Sequence, residues 1–258
     1  MFNLPDHNDR PNFVNRRVVR VLSELVRKKA PTILFLMETK LTDREMKPIK
    51  MELGFYGLLA VSCNGCRGGL ALLWKEDVTV DTQTYSPNHI DVNVHTPTSP
   101  IWRLTGIYGH LEEERKTETW RLMRHLHARA SLPWLCLGDF NELLALDEKN
   151  GGNRRLMAPM VEFQHTFLHC RLVDMGFSGY CFTWRNGWQV VAFVEERLDK
   201  VVATTKWREI FLRTKVSHLS VSYSDHDPIM LDMAPPTQPQ RRRHKIQRFE
   251  EKCGSHRL

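Results

Sequence analysis

WLCLGDFNE, at residues 134–142, joins a short apolar run to a polar turn. An uninterrupted apolar run of this length is typical of a strand that is covered on both faces. Asp139 follows the run directly, and Asn141 stands just beyond it. Because a carboxylate beside a buried strand is costly to desolvate unless a partner neutralises it, this stretch predicts a central strand that ends at a functional group.

The same arrangement recurs along the chain, where apolar runs end at polar groups. TILFLM (32–37) precedes Glu38, RLDKVVA (197–203) contains Asp199, and LSVSYS (219–224) precedes Asp225 and His226. Mg²⁺ prefers one or two carboxylates together with water and phosphate oxygens. Carboxylates, an amide and a histidine that recur at strand ends therefore favour metal-assisted phosphate chemistry.

Each of these signals also has a purely structural interpretation. A Glu after a strand can be a solvated loop residue, and an Asp at a strand–loop junction can be a cap. GDFN could form only a turn, and SDHDP could be a loop that carries a capping Asp and a surface His. Their joint occurrence in one chain favours a functional site.

Apolar spacing divides the chain into helices and strands. Helices are predicted over 13–29, 43–53, 112–130 and 161–170. Strands are predicted over 32–37, 57–62, 69–74, 78–86, 89–95, 102–108, 134–138, 180–184, 196–203, 216–222 and 229–233. Hairpins and helix crossovers are thus mixed, which indicates an α/β or α+β sandwich. We expect a poorly ordered segment over 1–12, one domain over 13–233 and a disordered basic tail over 234–258.

The positive charge lies at the two ends of the chain. Of a net charge of +7, residues 1–29 carry +4 and residues 236–258 carry +5, which leaves −2 for residues 30–235. Basic ends fit a polyanionic partner such as nucleic acid. A disordered tail that is kept soluble by its charge explains residues 236–258 equally well.

Cysteine usage and hydropathy indicate an intracellular protein. The chain has 6 scattered cysteines, which we interpret as reduced thiols. Cys63 and Cys66 have the spacing of half a zinc site, but no second pair follows, so no zinc is expected. The polar N-terminus does not resemble a signal peptide, and no apolar run reaches the length of a membrane helix, so no membrane partner is expected.

Seven motifs in order along the chain carry a family resemblance. They are METK (37–40), GGLALLW (68–74), IYG (107–109), GDFNE (138–142), FTW (182–184), RLDK (197–200) and SDHDPI (224–229). Together they resemble the endonuclease/exonuclease/phosphatase superfamily, which has the fold of DNase I and of abasic-site endonucleases. The resemblance is closest to the endonuclease domain of plant LINE-type, non-LTR retrotransposons, and it covers roughly residues 14–233.

This resemblance implies a four-layer α/β/β/α sandwich that cleaves a DNA phosphodiester with Mg²⁺, or with Mn²⁺ in its place. By matching motif, Glu38 would bind the metal and Asp225 would support it. Asp139 would position or deprotonate the attacking water, and Asn141 would bind the phosphate or place Asp139. A nuclear location would follow from a DNA substrate.

The resemblance also assigns the phosphate side of the site. His226 would contact the phosphoryl oxygens, with Asp199 orienting its imidazole, and Tyr108 would stabilise the transition state. Such donors suit a reaction in which negative charge develops on the phosphate. Tyr108 could equally be only a strand aromatic. The remaining substrate-side candidates, which shape the site or touch DNA, are Thr183, Trp184 and Arg67.

The chain departs from the family pattern at its beginning. The family starts with a strand whose final Asn joins the metal site, whereas MFNLPDHNDRPN is a poor strand and offers Asn8 as the nearest candidate. We therefore expect the first strand to be missing, and Lys200 stands where the family usually has Arg. Residues 241–258 resemble the basic linker before the reverse transcriptase of these elements. An inactive remnant that at most binds nucleic acid is the alternative, and a phosphomonoesterase of the same superfamily is the weaker third reading.

Overall fold

The computed structural model describes residues 1–3, 16–63, 68–129, 131–186, 193–221 and 224–233. Its helices are α1 (Arg16–Lys29), α2 (Asp43–Glu52), α3 (Lys116–Arg129), α4 (Met157–Cys170) and α5 (Thr205–Ile210). Its first eight strands are β1 (Phe2–Asn3), β2 (Ile33–Met37), β3 (Gly57–Val61), β4 (Leu70–Trp74), β5 (Thr79–Ser86), β6 (His89–Thr96), β7 (Ser99–Tyr108) and β8 (Trp134–Asp139). The others are β9 (Lys149–Asn150), β10 (Leu172–Asp174), β11 (Trp184–Arg185), β12 (Glu195–Glu196), β13 (Asp199–Thr204), β14 (Lys215–His218) and β15 (Ile229–Asp232).

Two sheets form the body of the protein. One has the strand order β1-β2-β4-β3, and the other has the order β10-β13-β8-β7-β6-β5. In the second sheet β8 is parallel to β7 and antiparallel to β13, so it lies in the middle. Two smaller sheets, β11-β12-β9 and β14-β15, complete the fold.

Side-chain alternation along β2 explains the layers. Leu34 and Leu36 pack with the buried faces of α1 and α2, whereas Phe35 and Met37 pack against the other sheet. Strand β8 behaves in the same way, since Cys136 packs with α3 and α4 while Leu135 faces the inner core. Both strands are covered on both faces, which is why each is apolar throughout. The α/β/β/α sandwich predicted from the sequence is confirmed.

Local sequence signals place the two helices that cover the first sheet. In α1 the residues Val19, Leu22 and Val26 recur at helical spacing and are buried. Helix α2 begins at a capping box, in which the Thr42 and Glu45 side chains each accept a hydrogen bond from the other residue's backbone amide. Helix α1 ends at the predicted residue and is described from Arg16, three residues after its predicted start, and α2 lies within one residue of its predicted bounds.

Contrary to the prediction that the first strand is missing, the structure has a short strand in its place. Phe2 and Asn3 pair in parallel with Leu36 and Met37 of β2. On the other side, Met1 exchanges two backbone hydrogen bonds with Ile229, of 2.8 and 3.2 Å. Two residues are too few to show a strand period, so only the neighbouring strands define this one. Asn8 lies outside the described residues.

The region around residues 172–210 corrects other predictions. The strand predicted over 180–184 is reduced to Trp184–Arg185, and the one over 196–203 is divided into β12 and β13. The Thr183 hydroxyl accepts the backbone amides of Leu198 and Asp199, so a side chain replaces part of the strand ladder there. Strand β10 and helix α5 were not predicted.

No helix in the part of the chain that the structure describes has the length and apolar character needed to cross a membrane. Cys136, Cys170 and Cys181 are free thiols, and Cys136 and Cys170 are buried. Cys66, Cys253 and the predicted tail over 234–258 lie outside the described residues.

Candidate active site

Three neighbouring strands bring three candidate side chains to one edge of the second sheet. Tyr108 at the end of β7 is paired with Asp139 at the end of β8. Asp199 at the start of β13 is paired with Asp139 from the other side. Because β13 is antiparallel to β8, its first residue meets the last residue of β8. The strand-end pattern in the sequence thus corresponds to one location.

The turn after β8 is held rigidly. The Asn141 amide donates to Oδ1 of Asp139 over 2.8 Å, and its side-chain Nδ2 donates to the Gly109 carbonyl over 2.9 Å. Asn141 has a φ of 53°, a left-handed conformation that non-glycine residues seldom adopt. Gly138 comes before the turn, where a Cβ would lie 1.9 Å from the Ile107 carbonyl oxygen. The backbone conformation of this turn therefore requires glycine at 138 and favours asparagine at 141, in addition to the chemistry of the Asp139 and Asn141 side chains.

Asp199 and His226 form a buried pair beside Asp139. Nδ1 of His226 lies 2.7 Å from Oδ2 of Asp199, and Nε2 lies 3.9 Å from Oδ2 of Asp139. Thr183, which is fully buried, binds the backbone amide of Asp199 through its hydroxyl. Thr183 thus holds the backbone of Asp199 in place, and with it the Asp199–His226 pair.

Burial and mutual charge shift the proton affinities of this pair. Burial, followed by repulsion from Asp199, raises the pKa of Asp139 to about 7. Burial alone would lower the pKa of His226, but the Asp199 carboxylate and its hydrogen bond outweigh it and raise the pKa to about 10. His226 is therefore a cationic donor at neutral pH, and Asp139 is poised to exchange a proton.

Glu38 and Tyr108 form the second half of the site. The Tyr108 hydroxyl donates a short hydrogen bond to Oε1 of Glu38. Burial and the Glu38 carboxylate raise the pKa of Tyr108 far above its usual range, so the phenol remains a donor. Glu38 has a φ of 51°, and its charge contributes to the raised pKa of Asp139. Left-handed backbone at two candidate residues, Glu38 and Asn141, is the kind of local strain that accumulates at functional sites.

Asp225 lies at the exposed rim of the site. Its Oδ2 accepts a 3.3 Å hydrogen bond from the indole Nε1 of Trp184, and its charge helps to raise the pKa of His226. Trp184 also forms an isolated antiparallel bridge with His226. Trp184 is thus in contact with the site and does not only pack in the core.

A divalent cation fits the carboxylates of this site. Asp139, Asp199 and His226 offer ligand atoms within 4.8 Å of one another. His226 is the poorest of these ligands, since its Nδ1 is bound to Asp199 and its raised pKa keeps the ring protonated. The carboxylates are the better donors, because the charge of Glu38 raises the pKa of Asp139 and a bound cation would offset that repulsion. Among the described residues, the buried Oδ1 of Asp199 has no hydrogen-bond partner.

A buried charge network behind the turn was not anticipated from the sequence. Nζ of Lys200 donates to the carbonyl of Glu142 over 3.0 Å and to that of Arg197, and it lies 3.2 Å from Glu148. Lys116 forms a 2.8 Å ion pair with the Glu142 side chain. The signal was present, since Glu142 ends the GDFNE motif and Lys200 ends RLDK.

A second missed pair supports the SDHDP loop. The buried Asp227 accepts a 2.6 Å hydrogen bond from Arg185 and a 3.1 Å hydrogen bond from the Val221 amide. Its own amide donates to the Thr183 carbonyl over 2.7 Å. Asp227 thus fixes the loop that presents His226. Arg67, the remaining candidate, lies outside the described residues.

Comparison with known proteins gives one family match. The family model described as "Endonuclease/Exonuclease/phosphatase family" matches residues 12–226. No curated protein matches this chain.

Solved structures share the fold over most of the chain. The AP endonuclease LMAP from Leishmania major has a TM-score of 0.67 and 14% identity, covering 90% of this chain and 86% of that one. The endonuclease domain of TRAS1, a telomere-specific non-LTR retrotransposon, has a TM-score of 0.60 and 14% identity, covering 90% and 95%. A 3′ phosphatase from Neisseria, bound to a product DNA hairpin, has a TM-score of 0.62 and 18% identity, covering 86% and 96%. At these identities the likeness establishes the fold alone.

Proposed function

The chain belongs to the Endonuclease/Exonuclease/phosphatase family, and from this premise we propose that it is a Mg²⁺-dependent DNA endonuclease of the type found in plant LINE-type, non-LTR retrotransposons. It nicks DNA by attack of water on a phosphodiester: the water oxygen bonds to phosphorus, the bond from phosphorus to one sugar oxygen breaks, and that leaving oxygen takes up a proton from solvent. The observation that carries the proposal is the Asp199–His226 pair, whose free Nε2 faces Asp139 at 3.9 Å. A cationic donor beside a carboxylate of raised pKa suits phosphodiester hydrolysis.

Each residue has a role that follows from its protonation. Asp139 accepts a proton from the attacking water, and the amide and side chain of Asn141 keep that carboxylate in place. Nε2 of His226 donates to a phosphoryl oxygen, while Asp199 holds Nδ1. These steps use only groups that lie at the same edge of the sheet.

Glu38 would hold the cation, with Asp225 in support from the rim. When bound, Mg²⁺ neutralises the charge that develops on the phosphate, and Mn²⁺ can take its place. Tyr108 keeps Glu38 oriented through its hydroxyl. Thr183 supports Asp199, and Trp184 offers a partly exposed ring to the DNA beside the site. A protein that acts on chromosomal DNA would work in the nucleus.

Plasmid nicking tests the proposal. We expect supercoiled DNA to be converted to open circles with Mg²⁺ or Mn²⁺ and not with EDTA. Asp139→Asn and His226→Gln should each lower the rate by about 10²–10⁴-fold, because each removes one partner of the proton transfer. Asp77→Asn removes an exposed carboxylate that lies beyond β4, and it should leave the rate unchanged.

The control for folding is the circular dichroism spectrum of each variant. If the wild-type protein is folded but does not nick DNA with either Mg²⁺ or Mn²⁺, the endonuclease assignment is contradicted. Salt-sensitive DNA binding in that sample would then favour the inactive remnant. Release of phosphate from 3′-phosphorylated DNA without nicking would favour the phosphomonoesterase.

A further inference from the structure

The turn between β5 and β6 lies at the catalytic edge of the second sheet. Its two central residues are Pro87 and Asn88. They join Ser86 at the end of β5 to its pairing partner His89 at the start of β6. Because His89 also pairs with the residue before Tyr108 in β7, the turn lies directly beside Tyr108.

The backbone of this turn differs from that of most two-residue hairpins. Such hairpins usually have positive φ at one or both central residues, because those turns match the twist of the flanking strands. Neither Pro87 nor Asn88 has a positive φ, and the proline ring fixes φ near −65°. The turn therefore lacks that backbone match, and side-chain hydrogen bonds hold it instead.

A buried histidine supplies most of these hydrogen bonds. Nδ1 of His89 lies 2.7 Å from the Ser86 hydroxyl, and its Nε2 lies 3.0 Å from the Thr84 hydroxyl. The Ser86 hydroxyl also accepts the backbone amide of Asn88 over 3.1 Å. Burial lowers the pKa of His89, so the neutral ring donates at one nitrogen and accepts at the other. The backbone of Asn88 is thus fixed by side chains of both strands.

Asn88 holds Tyr108 through its backbone and its side chain together. The Asn88 carbonyl accepts the Tyr108 amide over 2.9 Å, and Nδ2 of Asn88 donates to the Tyr108 carbonyl over 2.9 Å. The next carbonyl, that of Gly109, accepts a 2.9 Å hydrogen bond from Nδ2 of Asn141. Two asparagine side chains from different turns therefore hold consecutive carbonyls at the end of β7.

The Tyr108 side chain carries this constraint across to the first sheet. Its hydroxyl donates a short hydrogen bond to Oε1 of Glu38, which follows β2. The phenol ring is rigid, and its two side-chain torsions are restricted to a few rotamers. The position of the Tyr108 backbone therefore determines where the hydroxyl meets the Glu38 carboxylate.

We propose that Asn88 is a positioning residue of the site, which holds the Tyr108 backbone so that the phenol orients Glu38 for the cation. The inference rests on the proposed function, in which Glu38 holds Mg²⁺ or Mn²⁺. Partners that orient a metal ligand commonly change metal affinity when they are removed. In this role Asn88 acts only through Tyr108, so its effect depends on the Tyr108 hydroxyl.

Binding of Mn²⁺ in the absence of DNA tests this dependence. The electron paramagnetic resonance signal of free Mn²⁺ gives its dissociation constant for the 258-residue chain. Tyr108→Phe removes the hydroxyl and should weaken Mn²⁺ binding about tenfold. Asn88→Ala removes the side-chain donor and should weaken it about threefold to tenfold. The double variant should bind Mn²⁺ as Tyr108→Phe does, because the hydroxyl that carries the effect is already absent.

A matched asparagine in the same strand serves as the control. Asn93→Ala in β6, roughly 17 Å along the chain from Asn88, should leave the Mn²⁺ affinity unchanged. Circular dichroism compares the fold of each variant with that of the wild type. Unchanged affinity in folded Asn88→Ala would overturn the proposal, and so would effects of the two single variants that multiply in the double variant.

The same measurements separate this inference from the proposed endonuclease. If the wild-type protein binds Mn²⁺ but does not nick DNA, the endonuclease assignment is lost, and the comparison of the four proteins still decides the role of Asn88. If the folded wild-type protein binds no Mn²⁺, both proposals are overturned.

Discussion

His226 sets the charge of the site, because its protonation is tied to two carboxylates. Nδ1 is bound by Asp199 and Nε2 faces Asp139, so a proton on the ring is stabilised from both sides. Tyr108 behaves in the same way, since burial and the Glu38 carboxylate raise its pKa and hold its proton in place. The two donors therefore remain donors through the neutral range, while Asp139 can give up or take a proton.

This arrangement predicts a dependence of stability on pH. The pKa of His226 is raised from 6.5 to about 10, so its contribution to the free energy of unfolding is present below pH 6.5 and is lost as the pH rises through 10. The pKa of Asp139 is raised from 3.8 to about 7, so Asp139 adds a similar loss of stability as the pH rises between these two values. Above pH 7 the free energy should fall by up to about 1.4 kcal/mol per pH unit from His226 alone.

Urea unfolding in EDTA between pH 7 and 10 measures this loss. His226→Gln should show a smaller decline than the wild type, because the glutamine side chain does not titrate. His125→Gln replaces an exposed histidine and should keep the wild-type decline. Parallel curves for the wild type and His226→Gln would show that the Asp199–His226 pair does not hold a proton as described.

The turn after β8 is the element that assembles the site, and it depends on β13. Lys200, fully buried in β13, binds the carbonyls of Glu142 and Arg197 and pairs with Glu148. Burial lowers the pKa of Lys200, and the Glu148 carboxylate opposes that shift. This lysine thus ties the end of the GDFNE motif to the strand that carries Asp199.

Removal of this tie should loosen the turn. Lys200→Met leaves two buried carbonyls and one carboxylate short of a donor, and it should lower the free energy of unfolding by about 3–5 kcal/mol. Lys206→Met on α5 removes an exposed lysine and should change it by less than about 0.5 kcal/mol. Urea unfolding at pH 7 measures both. A loss below about 1 kcal/mol for Lys200→Met would mean that water satisfies these groups.

The sequence could predict those elements whose pattern is long enough to show a period. The apolar runs of β2 and β8 predicted both the strands and the location of Glu38 and Asp139 at their ends. β1 could not be predicted, because two residues have no period and only pairing with β2 and Ile229 defines it. Lys200 was not recognised as buried, since a lysine in an apolar strand is tolerated only where carbonyls and Glu148 converge in three dimensions.

At the scale of the whole molecule, the charge of the body opposes its proposed substrate. Residues 30–235 carry a net charge of −2, and the site itself is built from carboxylates. The negative charge of Glu38 and Asp139 would repel a DNA phosphate that approaches them, and a bound cation would offset that repulsion. We therefore expect attraction to DNA over longer distances to come mainly from the basic ends of the chain.

Removal of residues 234–258 separates the contribution of the basic C-terminal segment to DNA affinity from that of the rest of the chain. The segment has seven Lys/Arg and two acidic residues. Each phosphate that a basic residue neutralises adds about 0.9 to the slope of log affinity against log salt, so truncation after Met233 should reduce the slope by up to about six. Fluorescence anisotropy of a labelled DNA duplex measures this slope, with the Asp139→Asn variant in EDTA to prevent cleavage.

A control with the tail retained separates the effect of charge from that of length. In the 258-residue chain with Arg241, Arg242 and Arg243 changed to glutamine, the slope should fall by up to about three. Nicking at low salt should survive truncation, because Glu38, Asp139, Asp199 and His226 all lie before residue 234. An unchanged slope in the truncated chain would place the DNA-binding charge on the body instead.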